Sequence, residues 1–200
     1  GSEWEGHTDC IAYQNGVLEL GGEFPVFRAG RPEDYLRLQV PTDWRGLDEP
    51  APRWEQFLLD LFGGKEDAEA EHIVRYLQRL LGHALVGSPK EHVLVILWGV
   101  GRNGKTTLLQ VLEDVLGSLV GPVDAELLLA NHNHRRAGAP SPEILALRGR
   151  RIVWASESDE NRVLAAAQVK RLTGGDTLCG RAPYAAREIT FTPTHTLLLV

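Results

Sequence analysis

The stretch Gly99-Val100-Gly101-Arg102-Asn103-Gly104-Lys105-Thr106 sets two glycines around four residues and follows them with a lysine and a hydroxyl. That spacing is the pattern of a loop that wraps phosphate. Gly99 and Gly104 let the backbone curl, so that successive N–H groups point inward at a β-phosphate. Lys105 supplies a flexible point charge to the β- and γ-phosphates, and the Thr106 hydroxyl can ligate Mg²⁺. Gly101, Arg102, Asn103 and Thr107 complete the expected cradle. The expected ligand is a nucleoside triphosphate with Mg²⁺.

Such a loop needs a carboxylate to hold the water shell of the metal, at the end of a neighbouring strand. The run RRIVWASES (150–158) offers Glu157 just after Ile152-Val153-Trp154. Further on, residues 148–187 carry 8 bases against 4 acids. Within them Arg181, Tyr184 and Arg187 interleave charge with an aromatic near the tip of a hairpin, as phosphate contact and base stacking on a single strand require. The run NHNHRR (131–136) has neither cysteines nor acids at ligand spacing and reads as a polar surface loop. Trp4, Trp44, Trp54 and Trp98 read as packing residues.

The elements that must position these groups follow from periodicity. Residues 10–28 alternate as short strands, with a hairpin around Asn15-Gly16. A Pro- and Asp-rich connector (41–52) leads to two helices, 52–64 and 65–87, the first opened by proline and closed by paired glycines. HVLVILWG (92–99) is a continuous apolar run, as expected of a strand buried on both faces of a parallel sheet. A helix over 105–117, a strand at 150–158, a helix over 161–175, a hairpin over 176–191 and a strand at 195–200 follow. Strand–helix–strand alternation points to an α/β P-loop NTPase core with a mainly parallel sheet. The expected division is a strand-rich segment (1–50), a collar-like helical region (51–90) and the NTPase core (91–200), with the core incomplete at its C-terminal end.

Two hundred residues with 43% hydrophobic content suit one domain with a small appendage. Gly1-Ser2 at the front, with no methionine anywhere, reads as a piece of a longer protein. No apolar run reaches a membrane span, so no membrane partner is expected. Cys10 and Cys179 fit no metal or redox spacing and read as reduced thiols of a cytoplasmic protein. The net charge of -6 divides unevenly: 16 acids against 6 bases over 1–72, and 11 against 15 over 73–200. The back part is therefore the one suited to a polyanion.

Residues 143–200, with Ser156-Glu157 at a strand end, LTGGD (172–176), an arginine-bearing hairpin and FTPT (191–194), resemble the superfamily 3 helicase module of phage and plasmid primase–helicases. NGVLEL, APRWEQFL and YLQRLLGHALVG are similar to the poxvirus-type primase N-terminal region that precedes it. The resemblance implies a ring, usually hexameric, that hydrolyses ATP with Mg²⁺ between subunits and moves along single-stranded DNA in a bacterial or phage-infected cell. It implies Lys105 and Thr106 as the Walker A pair, Glu157 as the Walker B acid and Lys170 as a catalytic lysine reaching a neighbouring subunit's nucleotide. It also implies Arg181, Tyr184 and Arg187 on the DNA-tracking hairpin. In this chain Glu157 is followed by Ser158 instead of a second acid, and the family's sensor asparagine and arginine finger would fall beyond Val200. A P-loop ATPase that remodels without unwinding, an ATP-dependent initiator scaffold and, less favoured, a small-molecule kinase are the competing readings.

Overall fold

The computed structural model describes residues 8–64, 66–88, 91–99, 103–129, 140–156 and 163–200. The front of the chain is an antiparallel meander of β1 (Cys10–Tyr13), β2 (Gly16–Glu19) and β3 (Val26–Arg28). The expected hairpin is present, and β3 extends it by one strand. Arg28 fastens the segment that follows, bonding the Glu19 carboxylate at 2.5 Å and the Asp34 carboxylate at 2.6 and 2.9 Å. That guanidinium holds the Asp34 carboxyl down at about 2, helped by the Arg31 amide. The Asn15 side-chain amide pairs with both backbone groups of Trp44, pinning the connector under the meander.

Helix α1 (Pro52–Leu61) starts on proline, whose missing N–H has no partner to lose in a first turn. Helix α2 (Ala68–Val86) is capped by the Asp67 carboxylate, which accepts from Glu69 and Ala70 N–H, and ends at left-handed Gly87. Leu58, Val74 and Leu77 of these helices share a buried cluster with Leu108. Leu108 belongs to α3 (Lys105–Leu116), the helix that follows the glycine-rich loop.

The core is a four-stranded parallel sheet. Its strands are β4 (Leu94–Ile96), β5 (Val120–Pro122), β6 (Ile152–Ala155) and β9 (Thr196–Leu199), in the spatial order β4-β9-β6-β5. Helices α4 (Pro142–Leu145) and α5 (Ala166–Thr173) flank it, and β7 (Leu178–Gly180) pairs with β8 (Ile189–Phe191) as a separate antiparallel hairpin. Two expectations are corrected. Strand β4 is not buried on both faces: it lies at the sheet edge, with Val93, Ile96 and Trp98 exposed, whereas every residue of the inner strands β6 and β9 is buried. The strand that leads to Glu157 is not the neighbour of the loop strand, because β9 is interposed. Strand β5 was not legible, being three residues that include a glycine and a proline.

Arg151 joins front and core. Its backbone extends β6, with its N–H on Leu119 O at 2.7 Å, while its guanidinium crosses to the carbonyls of Thr8 at 2.6 Å and Cys10 at 3.3 Å. Gly87 makes the crossing possible, since a Cβ there would lie 1.9 Å from Arg151 Nη1. His195, at the entry to β9, is 2% exposed and neither ring nitrogen has a hydrogen-bond partner among the described residues. Burial pushes its pKa down to about 4; the Leu172 carbonyl, outside hydrogen-bond geometry, opposes this slightly and Arg150 adds to it.

The unfolded chain therefore takes up the His195 proton before the folded one does. Stability should fall as pH drops from about 6.5 to about 4 and level off below, by at most about 3 kcal/mol. Urea melts across that window should show the decline in the wild type and a flatter profile in His195→Leu. Asp34 acts elsewhere: its contribution is lost only as pH falls from the ordinary carboxylate range toward about 2.

Candidate functional site

The glycine-rich loop leaves the C-terminal end of β4 and enters the N-terminus of α3, where backbone N–H groups and the helix dipole favour an anion. Gly104 is the N-cap of α3, left-handed at φ 78°. A Cβ there would fall 2.3 Å from Leu61 Cδ1, so the turn rests directly on α1, with Phe57 next to it. At the other end of the loop a Cβ on Gly99 would fall 2.0 Å from Asn103 Nδ2. Lys105 Nζ donates to the Gly99 carbonyl at 2.8 Å, closing the loop across its mouth. No carboxylate competes for that ammonium among the described residues. Gly99, Asn103, Gly104 and Lys105 are thus brought together, and Thr106 and Thr107 are exposed on the first turn of α3. This arrangement can receive phosphate oxygens on N–H groups and one ammonium, with the Thr106 hydroxyl free to ligate a hard cation.

Gly101, Arg102 and Glu157 lie outside the described residues, as do Trp4 and the run NHNHRR. The sheet still fixes where the strand bearing Glu157 ends. Ile96, Leu199 and Ala155 stand abreast in register, so the ends of β4 and β6 lie on the same edge of the sheet. Two strand spacings separate them, about 10 Å. That gap is wide enough for a phosphate group and a hydrated cation.

Lys170 is exposed on α5, in a groove lined by His92, Leu94, Leu164, Val169 and Thr173, none of them from the loop. The hairpin β7–β8 separates the three residues expected to act together. Arg181 stands at its base, half-buried, with its N–H on Ser141 Oγ at 3.1 Å and its carbonyl accepting from Ser141 N–H at 2.8 Å. Tyr184 and Arg187 are exposed. Ala185 N–H bonds Ala182 O at 3.1 Å, and Tyr184 between them has φ 62°. Pro183 followed by a residue at positive φ is the geometry of a type II turn, where glycine is the residue of low cost. A tyrosine there costs on the order of 1–3 kcal/mol, and it recovers nothing by packing because its side chain is fully exposed.

The tryptophans divide. Trp44 packs on Tyr13 and Phe27, and Trp54 on Phe57. Trp98, expected to pack, is 89% exposed immediately before the loop, because β4 has no neighbour on its outer side among the described residues. The support of Leu61 and Phe57 beneath Gly104 was missed from sequence, although the proline-opened helix they occupy was expected.

Residues 1–63 match the family described as D5 N terminal like. The chain is 30% identical over 175 residues to the "Putative helicase L207/L206" of Acanthamoeba polyphaga mimivirus, covering 87% of this chain and 17% of that protein. It is 31% identical over 179 residues to the "Putative helicase 184R" of Invertebrate iridescent virus 6, covering 88% of this chain and 18% of that protein. The chain thus spans less than a fifth of the length of the curated relatives it matches. In fold it is similar to the apo C-terminal region of NrS-1, at a TM-score of 0.52 and 17% identity over 76% of this chain and 34% of that one. The resemblance to primase–helicases is borne out by these matches, and the fold is mixed α/β with a parallel sheet.

Gly104→Ala should destabilise the chain by about 1–3 kcal/mol, because it combines a left-handed backbone with an overlap on Leu61. Lys105→Ala should change stability by less than about 1 kcal/mol, since its ammonium bonds only the Gly99 carbonyl among the described residues. Denaturant midpoints of the two variants check the order.

Proposed function

We propose that this chain, matching the D5 N terminal like family at its front and relatives named as helicases along most of its length, forms the ATP-binding part of a replicative DNA helicase. The observation that carries the proposal is the loop from Gly99 to Lys105, at the same sheet edge as the end of β6 and separated from it by one strand. The loop N–H groups and Lys105 hold the β- and γ-phosphates of ATP, and Thr106 with Glu157 holds Mg²⁺. Mg²⁺ held there would neutralise charge that develops on the phosphoryl oxygens during hydrolysis. Lys105 must exchange its bond with the Gly99 carbonyl for phosphate oxygens as nucleotide enters. Lys170, away from the loop of its own chain, suits contact with nucleotide across a subunit boundary, which calls for a ring of copies. Single-stranded DNA is the track, with Tyr184 stacking on a base and Arg187 contacting phosphate; Arg181, clipped to Ser141, orients the hairpin base and reaches the strand less readily.

Calorimetry should find Mg·ATP binding in the wild-type chain and none in folded Lys105→Ala; equal affinity in both would remove the loop from the site. In the full-length protein single-stranded DNA should stimulate ATP hydrolysis, and Glu157→Gln should retain nucleotide while abolishing turnover. Hydrolysis indifferent to DNA would shift the reading to an ATP-dependent scaffold.

Tyr184→Asn separates binding from stability. Asparagine tolerates positive φ, so its melting temperature should equal or exceed that of the wild type. Single-stranded DNA binding should weaken by about 1–3 kcal/mol. Arg187→Gln should lower the salt slope of that binding by about 0.7.

A further inference from the structure

A cavity of about 180 Å³ lies on the seam between the front segment and the core. Its front wall comes from Thr8, Cys10 and residues 35–38, and its core wall from the segments around Arg148 and Thr192, with Leu119. None of the described loop residues, Gly99 and 103–107, is on its lining. Among the described residues its charge is one-sided: Arg37 enters from the front wall, Arg148 and Arg151 from the core wall, and no acidic side chain is on the lining. Neither Arg37 nor Arg148 forms an ion pair among the described residues. Arg151 is 4% exposed, so nearly all of its guanidinium has left water. Its Nη2 reaches two main-chain carbonyls, but its Nε is buried without a partner among the described residues. Burial pulls its pKa down, and Asp9 and Cys10 act on it only through space.

Like charges gathered on one cavity repel, and a buried N–H donor without an acceptor costs roughly 1–3 kcal/mol. Both costs are relieved by the same ligand, an anion with several oxygens. We propose that this cavity is a phosphate-group site, with Arg148 and Arg37 closing on the anion from the two walls and Arg151 as its buried floor. The hydroxyls of Thr8 and Thr192, also on the walls, supply further hydrogen bonds, while Thr194 donates its proton to the Arg150 carbonyl at 2.7 Å. Guanidinium forks match phosphate oxygens bidentately, and those of Arg37 and Arg148, with the Arg151 Nε–H and two hydroxyls, exceed what a two-oxygen carboxylate can use. The group is a free phosphate or the terminal phosphate of a nucleic-acid strand. Either one cross-links the meander to the core when bound.

The test uses Lys105→Ala chain, so that phosphate held by the glycine-rich loop does not contribute and failure here leaves the nucleotide reading intact. Inorganic phosphate, compared with sodium chloride at matched ionic strength, should raise the melting temperature saturably, by roughly 5–10 °C at a hundredfold excess over Kd. Arg37→Gln and Arg148→Gln should each weaken that effect at least tenfold while leaving the melt in chloride unchanged or slightly raised, since each removes one of the repelling charges. A 5′-phosphorylated oligonucleotide that competes with inorganic phosphate better than its unphosphorylated form assigns the site to strand ends; competition by neither assigns it to free phosphate. No saturable rise over chloride, or a rise that survives both substitutions, overturns the proposal.

Discussion

Strand β9 is the constraint on which the arrangement rests. It is the one partner that β4 has in the sheet among the described residues, and it is paired on its other side with β6. The loop, the end of β6 and the helices behind them are therefore referenced to four residues near position 200, about a hundred positions from the loop they hold. All four are buried, and they share clusters with both layers: Leu198 with the α3 side, Leu197 and Leu199 with the α4 and α5 side. Burying apolar area on both faces stabilises this strand more than its ladder bonds alone could. It also makes the separation of loop and β6 a fixed two-strand width, which no local flexing of either strand alters.

Much of this was legible, and what was not has a common cause. The loop announced itself because its glycines, lysine and threonine act through local spacing, and β6 and β9 because apolar runs of that length have few other homes. The edge position of β4 was not legible: HVLVILWG has the same composition whether it lies inside a sheet or at its border, and only pairing decides. The interposition of β9 is likewise a matter of topology, invisible to any window of sequence. Arg181 reads like Arg187 in the sequence, yet Ser141, forty positions away, fastens the backbone of one and leaves the other exposed.

Arginines in this chain occupy two unlike settings. Arg28 has carboxylates on two sides and locks the meander to the turn that follows it. Arg151 has none within ion-pair distance and meets carbonyl oxygens instead. Although the front segment is acidic overall and Asp9 acts on Arg151 through space, the charged side chains that line the cavity beside Arg151 are all cations among the described residues. Net charge over a stretch of sequence is thus a poor guide to the potential at a particular interface; side-chain placement decides it.

The clasp formed by Arg151 has an evolutionary consequence. Its acceptors are main-chain carbonyls of positions 8 and 10, which every amino acid supplies. Side chains there can drift without loosening the joint, and a front segment of quite different sequence could be spliced onto the same core if its first strand kept the same path. The freedom is not shared by the other side of the clasp. Position 151 must carry a long, forked donor, and position 87 must stay without a Cβ to let it pass. Variation between lineages should therefore be lopsided across this seam, permissive in front of it and strict behind.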